Sequence, residues 1–246
     1  MSTPSSPAPA PRFVFVVTYG RSGSTLTQGM LNALPRTLVR GENNLFVLPI
    51  FRSWSGLRDF QSKFRGEGNP KTTSAFYGLH ELDLTAFAES ARDLVQTQLL
   101  GSTPAADVDH LGFKEVLWHR LKPREWEPFF EFMDLAFSDP LYVLNQRDIE
   151  MTSTSGFWRH KGPGVALQQI NRVRELQKFL RSSRSDRCYD TRYEVTTSAN
   201  ADEAAASMRG LAEFVTGSCD DDLLARMMGL REVGHGPNPF GKARDA

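Results

Sequence analysis

Residues 13–26 read FVFVVTYGRSGSTL, and this stretch constrains the chain more than any other. Residues 13–19 form a β-branched and aromatic run, the pattern of a strand buried on both faces. Gly20 and Gly23 then permit a tight turn. A helix is expected from about Ser24 to Leu34, stopped by Pro35. A strand, a glycine turn and a helix in that order aim successive backbone amides and a helix N-terminus at one anion. The usual phosphate loop, GxxxxGK[ST], is incomplete here: no lysine precedes Ser24 or Thr25, and Arg21 stands between the two glycines. The plain alternative is a strand-to-helix turn with a serine cap.

The rest of the chain alternates strand-like and helix-like segments. TLVRGENN reads as a short second strand ending in a loop, LFVLPIFRSWSGLRDFQSKF as helical, and LTAFAESARDLVQTQLL as a full helix. HLGFKEVLWH is a third strand, PREWEPFFEFMDLAF an amphipathic helix and PLYVLNQRD a fourth strand. A long helix (GVALQQINRVRELQKFLRSS), a strand (DRCYDTRYEVTT) and two shorter helices follow. No repeat appears, and no linker is long enough to divide the chain. The alternation predicts an α/β fold: a single domain with a central parallel sheet flanked by helices, its ligand site at the carboxyl ends of the strands. Residues 1–12 read as a disordered Pro/Ser/Ala tail and 13–246 as the domain.

Bulk composition excludes several classes. Lys+Arg and Asp+Glu both number 29 in 246 residues, so no global field points to nucleic acid or an anionic membrane. Two cysteines, Cys188 and Cys219, make neither a disulfide framework nor a metal site and read as structural thiols. No apolar run approaches the ~18 residues of a membrane span. A cytoplasmic protein is the expectation.

The chemistry-bearing residues gather at expected strand ends. Tyr19 to Thr25 follow strand one, Glu42 follows strand two, Lys114 lies on strand three and Arg147 closes strand four. The anion turn offers Gly20, Arg21, Ser22, Gly23, Ser24 and Thr25. Ser24 and Thr25 add hydroxyls, and Arg21 adds a permanent charge with a fork of donors. A helix starting near Ile149 or Glu150 would bring Ser155, eight residues after Arg147, close enough to share an anion with it. Asp148 directly follows the polar run NQR, a poor imitation of a magnesium-holding aspartate.

YGRSGSTL near the N-terminus, with an arginine eight residues before a serine after a later strand, resembles the sulfotransferase superfamily that uses 3′-phosphoadenosine 5′-phosphosulfate. The resemblance spans roughly residues 13–244 and implies a phosphate-loop (P-loop) NTPase-like sulfotransferase fold. It implies that residues 19–25 hold the 5′-phosphosulfate, and that Arg147 and Ser155 hold the 3′-phosphate. RGENN resembles the catalytic-glutamate stretch of tyrosylprotein, carbohydrate and bacterial members, with Glu42 as base; LGFKEVLW resembles the strand of the catalytic-site lysine, here Lys114. TRYEV resembles the stretch whose tyrosine, here Tyr193, approaches the adenine. GHGPNPFGKAR resembles the C-terminal loop over the 3′-phosphate, with Lys242 or Arg244 as its cation, although its glycine spacing departs from the usual pattern. No metal is implied.

The implied reaction is in-line transfer of a sulfuryl group to an acceptor hydroxyl on a carbohydrate or small metabolite, with Arg21 and Lys114 stabilising developing charge. Cytosolic members use a histidine on the third strand, so His119 is the rival to Glu42. Each motif also has a plain reading: Glu42 as an exposed loop carboxylate, Lys114 with Glu115 as a surface pair on an edge strand, Tyr193 as core. Phe51, Trp54, Phe60, Phe64, Phe76 and the Phe157–Trp158 pair fit either an acceptor pocket or the core. A P-loop-type kinase or hydrolase, and a non-catalytic nucleotide-binding protein, are the competing functions.

Overall fold

The computed structural model describes residues 10–64, 71–153, 158 and 163–231. Its centre is a five-stranded sheet in the order β2-β3-β1-β4-β5, with every neighbouring pair parallel. The strands are β1 (Arg12–Val17), β2 (Thr37–Arg40), β3 (His110–Glu115), β4 (Leu141–Gln146) and β5 (Cys188–Arg192). Between them run α1 (Ser24–Ala33), α2 (Val47–Lys63), α3 (Leu84–Leu100), α4 (Trp126–Phe137), α5 (Ile149–Ser153) and α6 (Pro163–Ser183). After β5 come α7 (Tyr193–Thr196), α8 (Ala201–Thr216) and α9 (Asp221–Gly229).

The alternation along β1 builds both cores. Phe13, Phe15 and Val17 join the cluster formed with α2, α3, α4 and α6. Val14 and Val16 join the opposite cluster, with α1, α8 and α9. Full burial of such side chains is worth about 1.5–3 kcal/mol each, so the central strand anchors both helical layers. Helix starts follow local chemistry: the Asp83 carboxylate accepts from the amides of Thr85 and Ala86, and Asn200 does the same for Asp202 and Glu203.

Several local expectations change. β1 stops at Val17 rather than Tyr19, because the Thr18 hydroxyl turns away to donate to the Asn145 carbonyl at 3.0 Å. The third strand stops at Glu115 and continues as a 3₁₀ turn over Leu117–Arg120, and the fifth gives way to α7 at Tyr193. β3 lies inside the sheet, so Lys114 and Glu115 are not a surface pair on an edge strand: they are 5% and 0% exposed. Phe51 and Trp54 are core. Phe60, Phe64 and Phe76 pack on one another.

Gly112 of β3 pairs with Val14 of β1. A Cβ there would lie 1.6 Å from the Val14 carbonyl oxygen, which is backbone and cannot rotate away. Gly112→Ala should therefore destabilise the protein by at least the upper part of the ~1–3 kcal/mol typical of overpacking, read as a lower urea midpoint at an unchanged slope.

Candidate active site

At the carboxyl end of β1 the chain turns sharply. Arg21 has φ 67° and Gly23 φ 77°, so a left-handed residue alternates through the turn. That conformation is costly for a non-glycine residue and persists where its surroundings over-determine it. Gly23 is doubly required: besides its φ, an added Cβ would lie 2.0 Å from Cδ2 of Tyr193. Gly23 also occupies the N-cap of α1 without a side-chain cap, which leaves the first-turn amides for another acceptor.

A buried polar network holds the turn from below. Asn145 Nδ2 donates to the Ser22 carbonyl and hydroxyl, both at 3.0 Å, and to the Thr18 hydroxyl at 3.2 Å. Thr27 donates to Asn145 Oδ1 at 2.6 Å, and the Thr18 and Ser22 hydroxyls are 2.6 Å apart. Gln177 Nε2 reaches the carbonyls of Val17 (2.7 Å) and Asn145 (3.2 Å). The Ser22 hydroxyl is thus committed inward, and its backbone is what the turn presents. From the side, Trp158 Nε1 donates to the Gly20 carbonyl at 2.9 Å.

The turn opens on a cavity of about 390 Å³. One wall is the turn itself, with Gly20, Arg21, Gly23, Ser24 and Thr25. Glu42, Lys114, Val116, Leu117, His119, Arg120, Trp158 and Gln169 line the rest of the cavity. Lys114 Nζ donates to Glu42 Oε1 at 2.6 Å. The lysine side chain is 6% exposed and the glutamate 51%, so a buried cation holds one oxygen of a carboxylate that solutes can reach. His119, the rival base, lines the same cavity.

Arg147 and Tyr193 lie against the turn beyond this cavity. The Arg147 guanidinium stacks over the Tyr193 ring at 4.4 Å and donates to the Arg21 carbonyl at 3.3 Å. Its Nε is buried with no hydrogen-bond partner among the described residues. The Arg147 backbone is clamped by the Tyr19 hydroxyl, which donates to its carbonyl (2.7 Å) and accepts from its amide (2.9 Å). Burial raises the Tyr19 pKa, keeping that donor protonated. Asp148 caps α5 by accepting from Met151. Ser155, Phe157, Lys242 and Arg244 lie outside the described residues. Among the described residues no group of three or more His, Cys, Asp or Glu is placed to hold a metal ion, and no helix is long and apolar enough to cross a membrane.

Two supports escaped the sequence reading. Asn145 had a visible signal: a polar residue at the end of an otherwise apolar strand. Glu115 had little beyond its place beside Lys114. Its fully buried Oε2 accepts from the amides of Asn43 (3.1 Å) and Leu45 (2.7 Å), and Oε1 from Val116 (2.7 Å) and Leu117 (3.0 Å). It thereby ties the loop after Glu42 to Val116 and Leu117, which also line the cavity.

No protein-family model matches the chain, and no curated protein matches it. Solved structures do match. The sulfotransferase domain from the Synechococcus PCC 7002 olefin synthase aligns at TM-score 0.53 and 15% identity, over 91% of this chain and 80% of that one. The sulfotransferase STF9 from Mycobacterium avium aligns at TM-score 0.51 and 15% identity, over 94% and 70%. The sulfotransferase domain from the curacin biosynthetic pathway aligns at 0.50 and 19%, over 92% and 81%. The chain therefore has the fold of the sulfotransferases, a single α/β domain built on a parallel sheet.

Glu115→Gln replaces one acceptor oxygen with an amide group that confronts two backbone N–H donors. Leaving such buried donors unpaired costs about 1–3 kcal/mol. The variant should show a lower unfolding midpoint and faster hydrogen exchange at Asn43, Leu45, Val116 and Leu117 than the wild type.

Proposed function

We propose that the protein transfers a sulfuryl group from 3′-phosphoadenosine 5′-phosphosulfate to a hydroxyl on a small-molecule or carbohydrate acceptor, with Glu42 as general base. The observation that carries this reading is the Lys114–Glu42 pair, 2.6 Å apart in a cavity walled by an uncapped helix N-terminus and a glycine turn. It joins an anion-binding surface to a reachable proton acceptor. The sulfotransferase fold supports the same reading.

The residues present fit this donor. The turn amides and the N-terminus of α1 suit its anionic 5′ end. The unpartnered Nε of Arg147, beside the Tyr193 ring, suits a second phosphate. Ser155 and Lys242 are proposed for that phosphate by resemblance. When bound, the donor supplies the activated sulfuryl group.

The chain's own residues then do the following. Lys114 holds Glu42 Oε1, which leaves Oε2 to take the proton from an acceptor hydroxyl, a contribution of about 10²–10⁴-fold. Lys114, Arg21 and the turn amides are preorganised donors toward charge that develops during transfer. Trp158 packs against Gly20 and shields that side of the turn from water.

Glu42→Gln should lower turnover at least ~100-fold with donor affinity near wild type, while His119→Ala is mild. The reverse pattern in steady-state kinetics would move the base to His119. Lys114→Ala should bind donor almost normally and turn over at least ~100-fold more slowly, since its interaction is made mainly in the transition state. Arg147→Ala should weaken 3′-phosphoadenosine 5′-phosphate by about 1.5–3 kcal/mol and leave AMP nearly unchanged. Calorimetry giving wild-type Arg147 equal affinity for the two nucleotides would remove the 3′-phosphate from the proposal.

A further inference from the structure

The charges around the cavity do not balance. Arg21, Lys114 and Arg120 face a single carboxylate, Glu42, among its described lining residues. Lys114 is paired with Glu42, and Arg21 belongs to the anion turn. That leaves Arg120, an exposed residue that lines the cavity. Its Nη1 donates to the Asn44 side-chain oxygen at 2.6 Å, and among the described residues it makes no ion pair. A guanidinium has five donors, so most of this fork remains for a ligand.

Arg120 is also held in place. It ends the 3₁₀ turn Leu117–Arg120, whose Trp118 is buried and donates to the Val16 carbonyl at 3.1 Å. Its carbonyl accepts from Arg52 at 3.3 Å, and Arg52 is itself paired with Glu125 at 2.9 Å. Asn44, its side-chain partner, lies two residues after Glu42 in the loop that Glu115 ties down. The base and this arginine are therefore positioned by the same loop. Val116, Leu117 and Trp158 also line the cavity and give it apolar surface.

We propose that Arg120 recognises an acid group on the acceptor, so that the acceptor is an alcohol joined through an apolar segment to a carboxylate or phosphate. The proposal rests on the sulfotransfer reading for the fate of the hydroxyl but not for the recognition of the acid. Planar bidentate pairing to either anion is the chemistry an arginine fork provides.

The test uses the full chain and three probes: 8-hydroxyoctanoate, its methyl ester and 8-hydroxyoctyl phosphate, with the same series at four to ten carbons to set the span. Binding is measured by calorimetry and transfer with labelled donor. Wild type should bind the acid or the phosphate at least ~10-fold more tightly than the ester, and Arg120→Ala should bring the ratio to within ~2-fold. Arg120→Lys should keep part of the preference, because charge remains while the fork is lost. Wild-type affinity of Arg120→Ala for 3′-phosphoadenosine 5′-phosphate would report an intact fold. The stronger of the two anionic probes identifies carboxylate or phosphate as the group recognised. Equal affinity of wild type for acid, phosphate and ester, or a preference that survives Arg120→Ala, overturns the proposal. Acid-selective binding without transfer to any probe upholds it and overturns the sulfotransfer reading instead, whereas transfer without selectivity does the reverse.

Discussion

The site depends on a polar knot buried beneath the glycine turn. A turn with left-handed residues at both Arg21 and Gly23 is not a conformation the chain would hold unaided. Asn145, reaching across from the neighbouring strand, ties together the hydroxyls of Thr18, Ser22 and Thr27 and the Ser22 carbonyl. Every one of these groups is buried, so each would be expensive if left unpaired. Satisfied together, they fix the turn to the sheet, and the free amides above it inherit that rigidity. Tyr19 extends the same support outward by clamping the backbone of Arg147.

On β3, adjacent residues divide the work because a strand sends successive side chains to opposite faces. Lys114 reaches the cavity and the Glu42 carboxylate. Glu115 points the other way, and its four backbone amide contacts are what keep the Glu42 loop beside that lysine. Satisfied by backbone amides, Glu115 does not compete with Glu42 for Lys114. The ion pair in the cavity and the hidden carboxylate beneath it are therefore two halves of one arrangement.

Much of the architecture was legible in the sequence, because hydrophobic period is a local property. α3 follows its expected span residue for residue, and the structure adds Asp83 as its cap. The aromatic-rich segment after Leu45 was less legible, since a phenylalanine that faces the core and one that faces a ligand look alike in one dimension. Phe51 and Trp54 went to the core, while Trp158 came to the glycine turn from a distant segment. Arg120 carried no motif at all. It matters because a turn after β3 brings it to the same cavity as Glu42.

The sequence by itself determined the alternation of strands and helices, the glycine turn after the first strand, and the gathering of Glu42, Lys114 and Arg147 at the strand ends. Periodicity, glycine placement and the rule for parallel sheets act over short stretches or over the order of elements, so one dimension suffices for them. Only the tertiary structure decided that Lys114 pairs with Glu42 rather than Glu115, that Ser22 turns its hydroxyl inward, and that Arg147 stacks on Tyr193. Those choices join residues dozens of positions apart, and they are made by which buried polar groups find partners once the sheet order β2-β3-β1-β4-β5 is in place.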